Sequence, residues 1–322
     1  MLNRREFLET VAAAAAVPAF AGPACADNAL AGQAPPNEWG SPVFDLHFHL
    51  RPEPAANFAH FEGAGITKAN LLTRGPALER VKAMEAAAPG RFTWFNSYDV
   101  TKPDAEQVLT QAAKDGAQGF GELKFHVAAD GPELRRMYAL AAELKVPLLI
   151  HFQEVDHFPG EGTWSTGYAK TFASILKEYP KTTFIGHADA FWANVSADYQ
   201  NQAAYPTGPI VRGGVTDKWL GDFPNLYGDM SANSGNNCMS RDPVFTTDFL
   251  KRHQDKLIFG SDCGCTDGHG GGVSQGNNPT AARMAGKCVA RETLGLLKRS
   301  TAPEVFQKLV WGNAHKLLRI PA

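Results

Sequence analysis

Val43-Phe44-Asp45-Leu46-His47-Phe48-His49 decides how this chain is read. Apolar, aromatic and β-branched residues dominate it, as they do in buried strands. Its imidazoles gather at the C-terminal end, and residues two apart on a strand point the same way, so His47 and His49 converge. Seven further runs of the same character occupy residues 66–72, 92–100, 119–126, 146–152, 182–188, 226–231 and 257–262. Between many of them the apolar spacing turns helical, as over 77–88, 103–114, 132–145 and 168–179. Strand alternating with helix implies parallel pairing, and eight such units predict an α/β fold of the (β/α)8 TIM-barrel type. A doubly wound open sheet is the competing arrangement.

The barrel reading carries its own test, because barrel active sites form at the C-terminal ends of the strands. The fourth run ends Gly121-Glu122-Leu123-Lys124-Phe125-His126, the fifth reaches His151, the sixth His187 and the eighth Asp262. Neutral imidazoles and a carboxylate converging in this way suit Zn²⁺ or a similar divalent ion. The chain's Gly-x-Ser-x-Gly match, Gly272-Val273-Ser274-Gln275-Gly276, follows a Gly-rich stretch and not an apolar strand run, so it does not read as the elbow of a serine hydrolase. Its stretch Gly268-His269-Gly270-Gly271-Gly272 matches neither phosphate-loop fingerprint and reads as a surface loop.

The 322 residues carry 31 Lys and Arg against 33 Asp and Glu, a net charge of -2, which argues against a nucleic-acid partner. The long apolar stretch at the N-terminus is broken by Pro18 and is too short for a stable membrane span. Arg4-Arg5, the Ala-rich run that follows and Ala24-Cys25-Ala26 predict a cleavable export signal over residues 1–26, with a mature chain starting near Asp27 in the periplasm or beyond. The arginine pair followed by Phe7-Leu8 resembles the twin-arginine motif. Residues 27–41 read as a flexible leader, and 42–322 as a single barrel domain. Of the cysteines beyond the signal, Cys238, Cys263, Cys265 and Cys288, at most one bridge is expected, from Cys238 to Cys263 or Cys265.

The ordered set Asp45-Leu46-His47-Phe48-His49, Leu149-Ile150-His151, Phe184-Ile185-Gly186-His187 and Ile258-Phe259-Gly260-Ser261-Asp262 resembles the amidohydrolase superfamily, in particular its amidohydrolase-2 branch of hydrolases and decarboxylases. The closing stretch from Trp311 to Leu318 is similar to that family's terminal helix. The resemblance implies a divalent metal, zinc first, held by His47, His49, His151 and Asp262. It assigns His187 either to polarising the substrate or to a second ion. On the fourth strand, where binuclear relatives carry a bridging Glu or a carboxylated Lys, both Glu122 and Lys124 are candidates, and Lys124 is equally a binder of a substrate carboxylate.

The expected activity is hydrolysis of a small amide, ester or lactone, with Asp262 and His187 as catalytic groups. A decarboxylase of an aromatic or unsaturated acid on the same site is the alternative, and an exported zinc-binding protein without turnover is the alternative of another class. Arg51, Lys124, His126 and Trp164 are candidate substrate contacts, with Trp164 as a lid in the loop 160–167. Phe48, Phe152, Phe158 and Trp192 are either pocket lining or core. The partner expected is a small molecule, with a homo-oligomer left open.

Overall fold

Each apolar run forms a strand: β1 (Phe44–His49), β2 (Lys68–Arg74), β3 (Phe92–Ser97), β4 (Gly119–Leu123), β5 (Leu148–His151), β6 (Phe184–His187), β7 (Leu226–Asp229) and β8 (Leu257–Ile258). The computed structural model describes residues 37–76, 78–272 and 279–320; the segment read as an export signal lies outside the described residues. The strands are hydrogen-bonded in chain order, every neighbouring pair parallel. The sheet closes on itself where the Leu46 amide donates to the Phe259 carbonyl at 3.0 Å and the Asp262 amide donates to the His47 carbonyl at 2.9 Å. This is a (β/α)8 barrel, not an open doubly wound sheet.

One helix follows each of the first five strands: α1 (Pro54–Ala64), α2 (Leu78–Ala87), α3 (Ala105–Lys114), α4 (Pro132–Leu144) and α5 (Tyr168–Glu178). Two helices, α6 (Asp189–Ala193) and α7 (Val215–Asp222), lie between β6 and β7, and α8 (Ala232–Ser240) and α9 (Pro243–Arg252) between β7 and β8. The chain closes with α10 (Val289–Ser300), α11 (Pro303–Gln307) and α12 (Asn313–Leu318). Local chemistry explains the helices well. On α5, Tyr168, Phe172, Ile175 and Leu176 recur at helical spacing and are all buried. Pro132 occupies the first turn of α4, where its missing N–H costs nothing. Asp242 caps α9 by accepting from the Phe245 amide at 3.0 Å, an interaction of about 1 kcal/mol. Among the described residues no helix is long and apolar enough to cross a membrane.

The register of β1 against β2 shifts between Asp45 and Phe48, and this irregularity organises the barrel. Before it, Phe44 and Leu46 join Leu72, Phe95, Leu149, Ile185 and Ile258 in an apolar cluster inside the barrel, sealed by Ala314 and Leu318 of α12. Beyond it, Phe48 turns outward and stacks on Phe61 of α1, with ring centroids 4.5 Å apart. His47 and His49 thereby turn toward the mouth. An apolar plug at one end and ligands at the other result from one change of register.

Two segments differ from the sequence reading. The eighth strand ends at Ile258 rather than at 262, and beyond it Asp262 adopts a left-handed φ of 43°. Between these two residues Gly260 is required: a Cβ there would overlap the Asp229 carboxylate and the His47 Cβ. The described end of the expected leader, 37–41, packs on the fold, with Trp39 buried and its Nε1 donating to the Ala64 carbonyl at 2.9 Å.

Candidate active site

Seven polar side chains converge where the strands end: His47 and His49 from β1, Glu122 from β4, His151 from β5, His187 from β6, Asp229 from β7, and Asp262 just after β8. His151 and His187 are register partners across β5 and β6, so the sheet itself sets them side by side. Glu122 lies among the histidines with its two oxygens divided between them. Its Oε2 is 3.4 Å from His49 Nε2 and 4.0 Å from His47 Nε2, while its Oε1 is 2.5 Å from His151 Nδ1 and 3.6 Å from His187 Nε2. Asp262 divides in the same way, Oδ1 toward His47 at 3.7 Å and His49 at 3.6 Å, Oδ2 toward His187 at 3.8 Å.

The groups behind these histidines fix which ring nitrogen carries a proton. Asp229 Oδ2 only accepts, so His47 Nδ1 donates to it at 2.7 Å and turns Nε2 toward the mouth. Ser231 Oγ donates to Asp229 at 2.8 Å and therefore accepts from His187 Nδ1 at 2.9 Å. Gln153 Oε1 accepts from His151 Nε2 at 2.9 Å, leaving Nδ1 facing Glu122. The lone pairs so left point at carboxylates, and that of His47 also at His49 Nε2, 3.1 Å away. Acceptor facing acceptor requires a proton or a cation between them, and the donor set fits a divalent ion.

Without a cation the charges redistribute onto protons. Burial alone would lower the His47 pKa, but Asp262, Asp229 and Glu122 push it up to about 10. Burial keeps His151 below the ordinary imidazole value despite the neighbouring Glu122. Burial would raise Glu122 and Asp229, yet the surrounding histidines hold both carboxylates below their ordinary range.

A cavity of about 180 Å³ opens beside this cluster. Lys124, His151, His187 and Asp262 form one part of its lining, and His157, Asp189 and Tyr205 another. His157 Nε2 lies 3.1 Å from Asp189 Oδ1, and its ring stacks on Tyr205 with centroids 5.3 Å apart. Asp189 Oδ2 is buried without a hydrogen-bond partner among the described residues. Lys124 Nζ sits 3.9 Å from Glu161 and 5.0 Å from the Trp164 ring centroid; Glu122 alone of the two fourth-strand candidates stands between the histidine pairs.

Three expected substrate contacts lie elsewhere. Arg51 is buried behind the site, donating from Nε to the Cys265 carbonyl and from Nη2 to the Cys263 carbonyl, each at 2.7 Å; it braces the loop after β8 and lines no part of the cavity. His126 is exposed and stacks on Trp164, centroids 3.6 Å apart. Trp164 is tied to Gln153 by two backbone hydrogen bonds of 2.9 and 3.0 Å, which makes it a fixed support beneath Lys124 rather than a lid. Phe48, Phe152 and Trp192 belong to the core, and Phe158 is exposed. The expected disulfide is not formed, since Cys238, Cys263, Cys265 and Cys288 are all free thiols.

Sequence reasoning missed Asp229, Ser231, Gln153, His157, Asp189 and Tyr205. Asp229 and Ser231 had a usable signal, two polar residues two apart at the end of the seventh run. Gln153 likewise stands two residues past His151. His157 and Tyr205 sit in long connections where no periodicity marks a residue.

Comparison with known proteins agrees with this fold. Barrels of similar fold include a dihydroorotase from Campylobacter jejuni, 17% identical, with a TM-score of 0.51 over 87% of this chain and 84% of that one. A TatD homologue from Escherichia coli, also 17% identical, has a TM-score of 0.50 over 87% of this chain and 98% of its own. No curated protein sequence matches the chain. The family model described as Amidohydrolase matches residues 46–320, and the chain therefore belongs to the amidohydrolase family of metal-dependent barrel enzymes.

Proposed function

We propose that this enzyme is an exported hydrolase that uses two divalent ions, zinc by the nature of the donors, to cleave a small carbonyl substrate: an amide, ester or lactone carrying a negative charge. The observation that supports two ions is the division of Glu122, one oxygen toward His47 and His49 and the other toward His151 and His187. In this reading Asp262 completes the first group and His187 serves the second. When bound, such ions lower the pKa of a coordinated water to about 7 and polarise a carbonyl.

The protein's own side chains supply the rest. Asp262, facing both groups through separate oxygens, accepts the attacking water's proton and returns it to the leaving group. Asp229 and Ser231 hold His47 and His187 in the tautomers that keep their Nε2 atoms free of protons. Lys124 orients the substrate's anionic group, and the unpaired Oδ2 of Asp189 accepts from a substrate donor. A cavity of about 180 Å³ restricts the substrate to a small molecule.

A panel of small acidic esters, lactones and amides, assayed before and after chelation, tests the reading. Chelator-sensitive hydrolysis restored by Zn²⁺ and abolished in His49→Asn is the expected result. Release of CO₂ from an unsaturated acid would replace it with the decarboxylase reading. Metal retention with no turnover of either kind would favour storage. Export rests on Arg4-Arg5 and Ala24-Cys25-Ala26, and replacing both arginines by Lys should leave uncleaved precursor in the cytoplasm.

A further inference from the structure

We propose that His60, Cys263, Cys265 and Cys288 form a separate, sealed metal site for a structural Zn²⁺ ion, distinct from the site at the barrel mouth. Their potential ligand atoms all lie within 4.8 Å of one another. Cys263 Sγ is 3.3 Å from Cys265 Sγ and 3.8 Å from Cys288 Sγ, and Cys265 Sγ is 3.3 Å from His60 Nδ1. Zn–S bonds of about 2.3 Å and Zn–N bonds of about 2.0 Å in a tetrahedron imply S···S edges of about 3.8 Å and S···N edges of about 3.5 Å. The 3.8 Å spacing equals the S···S edge, the two 3.3 Å spacings fall within about half an ångström of theirs, and all are far longer than the ~2.05 Å of a disulfide.

The surroundings suit a closed site. All four residues are buried, His60 and Cys265 at 0% exposure, Cys288 at 3% and Cys263 at 8%. Three thiolates around Zn²⁺ carry one net negative charge, which a buried site must compensate. Arg51 brings the compensating cation, held by the carbonyls of Cys263 and Cys265 themselves and stacked over Phe48 at 4.6 Å. This explains a buried arginine that lines no part of the catalytic cavity. The four ligands come from α1, from the loop after β8 and from the residue preceding α10, so the ion would staple three distant segments. Cys263 follows Asp262 directly, so the staple also holds the backbone that aims the catalytic carboxylate.

Cobalt substitution separates the two sites, because only this one contains sulfur. Full-length enzyme loaded with Co²⁺ should show an intense thiolate-to-cobalt charge-transfer band. The band should survive His47→Asn and disappear, with loss of one metal equivalent, in Cys288→Ser. Should that variant fail to fold, X-ray absorption on the wild-type zinc enzyme decides: a shell of sulfur scatterers near 2.3 Å is expected. A shell of nitrogen and oxygen alone, or a Cys263–Cys265 disulfide in the unreduced protein, overturns the site. A sulfur shell in a protein whose barrel mouth takes up no metal would uphold this site while refuting the hydrolase reading.

Discussion

Asp262 and Cys263 are neighbours in the chain, yet they serve clusters of opposite character. At the barrel mouth the donors are nitrogen and oxygen, His49 is 42% exposed, and a cavity gives a small molecule access. Behind it the donors are mainly sulfur, all buried, and the charged group in contact is an arginine held by the same loop. Donor softness and enclosure sort metal sites by role: an open coordination position permits chemistry, and a closed set of four ligands does not. The left-handed turn at Asp262 is what allows one short loop to face both ways.

The strongest way to break this comparison is to remove one ligand from each cluster. Asp262→Asn should lower kcat by about 10²- to 10⁴-fold, the scale of a lost general base, with Tm nearly unchanged. Cys265→Ser should do the reverse: a loss of stability on the order of 4 kcal/mol, roughly 10 °C in Tm, with kcat within about tenfold of wild type in the surviving folded fraction. Steady-state kinetics and calorimetry on the two variants read both quantities. Equal effects of both variants on activity would erase the distinction between an open and a closed site.

Proton competition sharpens the same contrast at the mouth. His47, pushed up to about 10 in the metal-free chain by Asp262, Asp229 and Glu122, must give up a proton before an ion can bind. Apparent metal affinity should therefore rise with pH by about tenfold per unit for that one proton below about 10, and level off above it. In the metal-free protein the stabilisation from this histidine is fully present below 6.5 and is lost as pH rises through about 10. Asp229→Asn should weaken metal binding by roughly 10- to 100-fold, because the imidazole loses the partner that sets its tautomer. Titration of the apoenzyme with Zn²⁺ at several pH values measures both effects, and a flat profile would remove His47 from the ligand set.

Local periodicity made the strands, the helices of the first half and the mouth-facing imidazoles legible in the sequence. Most of them sit where alternation and helical spacing put them, although the register shift in β1 and the early end of β8 depart from it. Contacts between distant segments were not legible. Arg51 adjoins the His-x-His pair, which suggested a substrate contact, but its two closest partners are carbonyls more than 200 positions away. Cys238 looked like a disulfide partner because the count was even, whereas it lies in α8 and the other three thiols meet His60 from α1. Nothing in the spacing of the 257–262 run announced that the strand stops at Ile258 or that Gly260 packs closely against Asp229. Even Trp39, in a stretch rich in Ala, Gly, Pro and Asn, found a partner only because α1 ends beside it.

The smallest expected effect separates substrate recognition from metal chemistry within the mouth itself. Lys124 lines the cavity, and its ammonium is held between Glu161 at 3.9 Å and the Trp164 ring at 5.0 Å, so it is positioned without being consumed by a close ion pair. Lys124→Met preserves most of the stem's volume while removing the charge. A lost hydrogen bond to a charged group is worth about 1.5 kcal/mol at the low end, close to a tenfold change. KM for an acidic ester should therefore rise by about tenfold, with kcat and metal content nearly unchanged. The neutral methyl ester of the same acid should show no such change, because it offers Lys124 nothing to neutralise. If instead the variant loses metal along with turnover, Lys124 acts as a ligand, and Glu122 is not the sole link between the two histidine pairs. The pairing of KM and metal analysis across the charged and neutral substrates thus decides which of the two fourth-strand residues faces the substrate and which faces the ions.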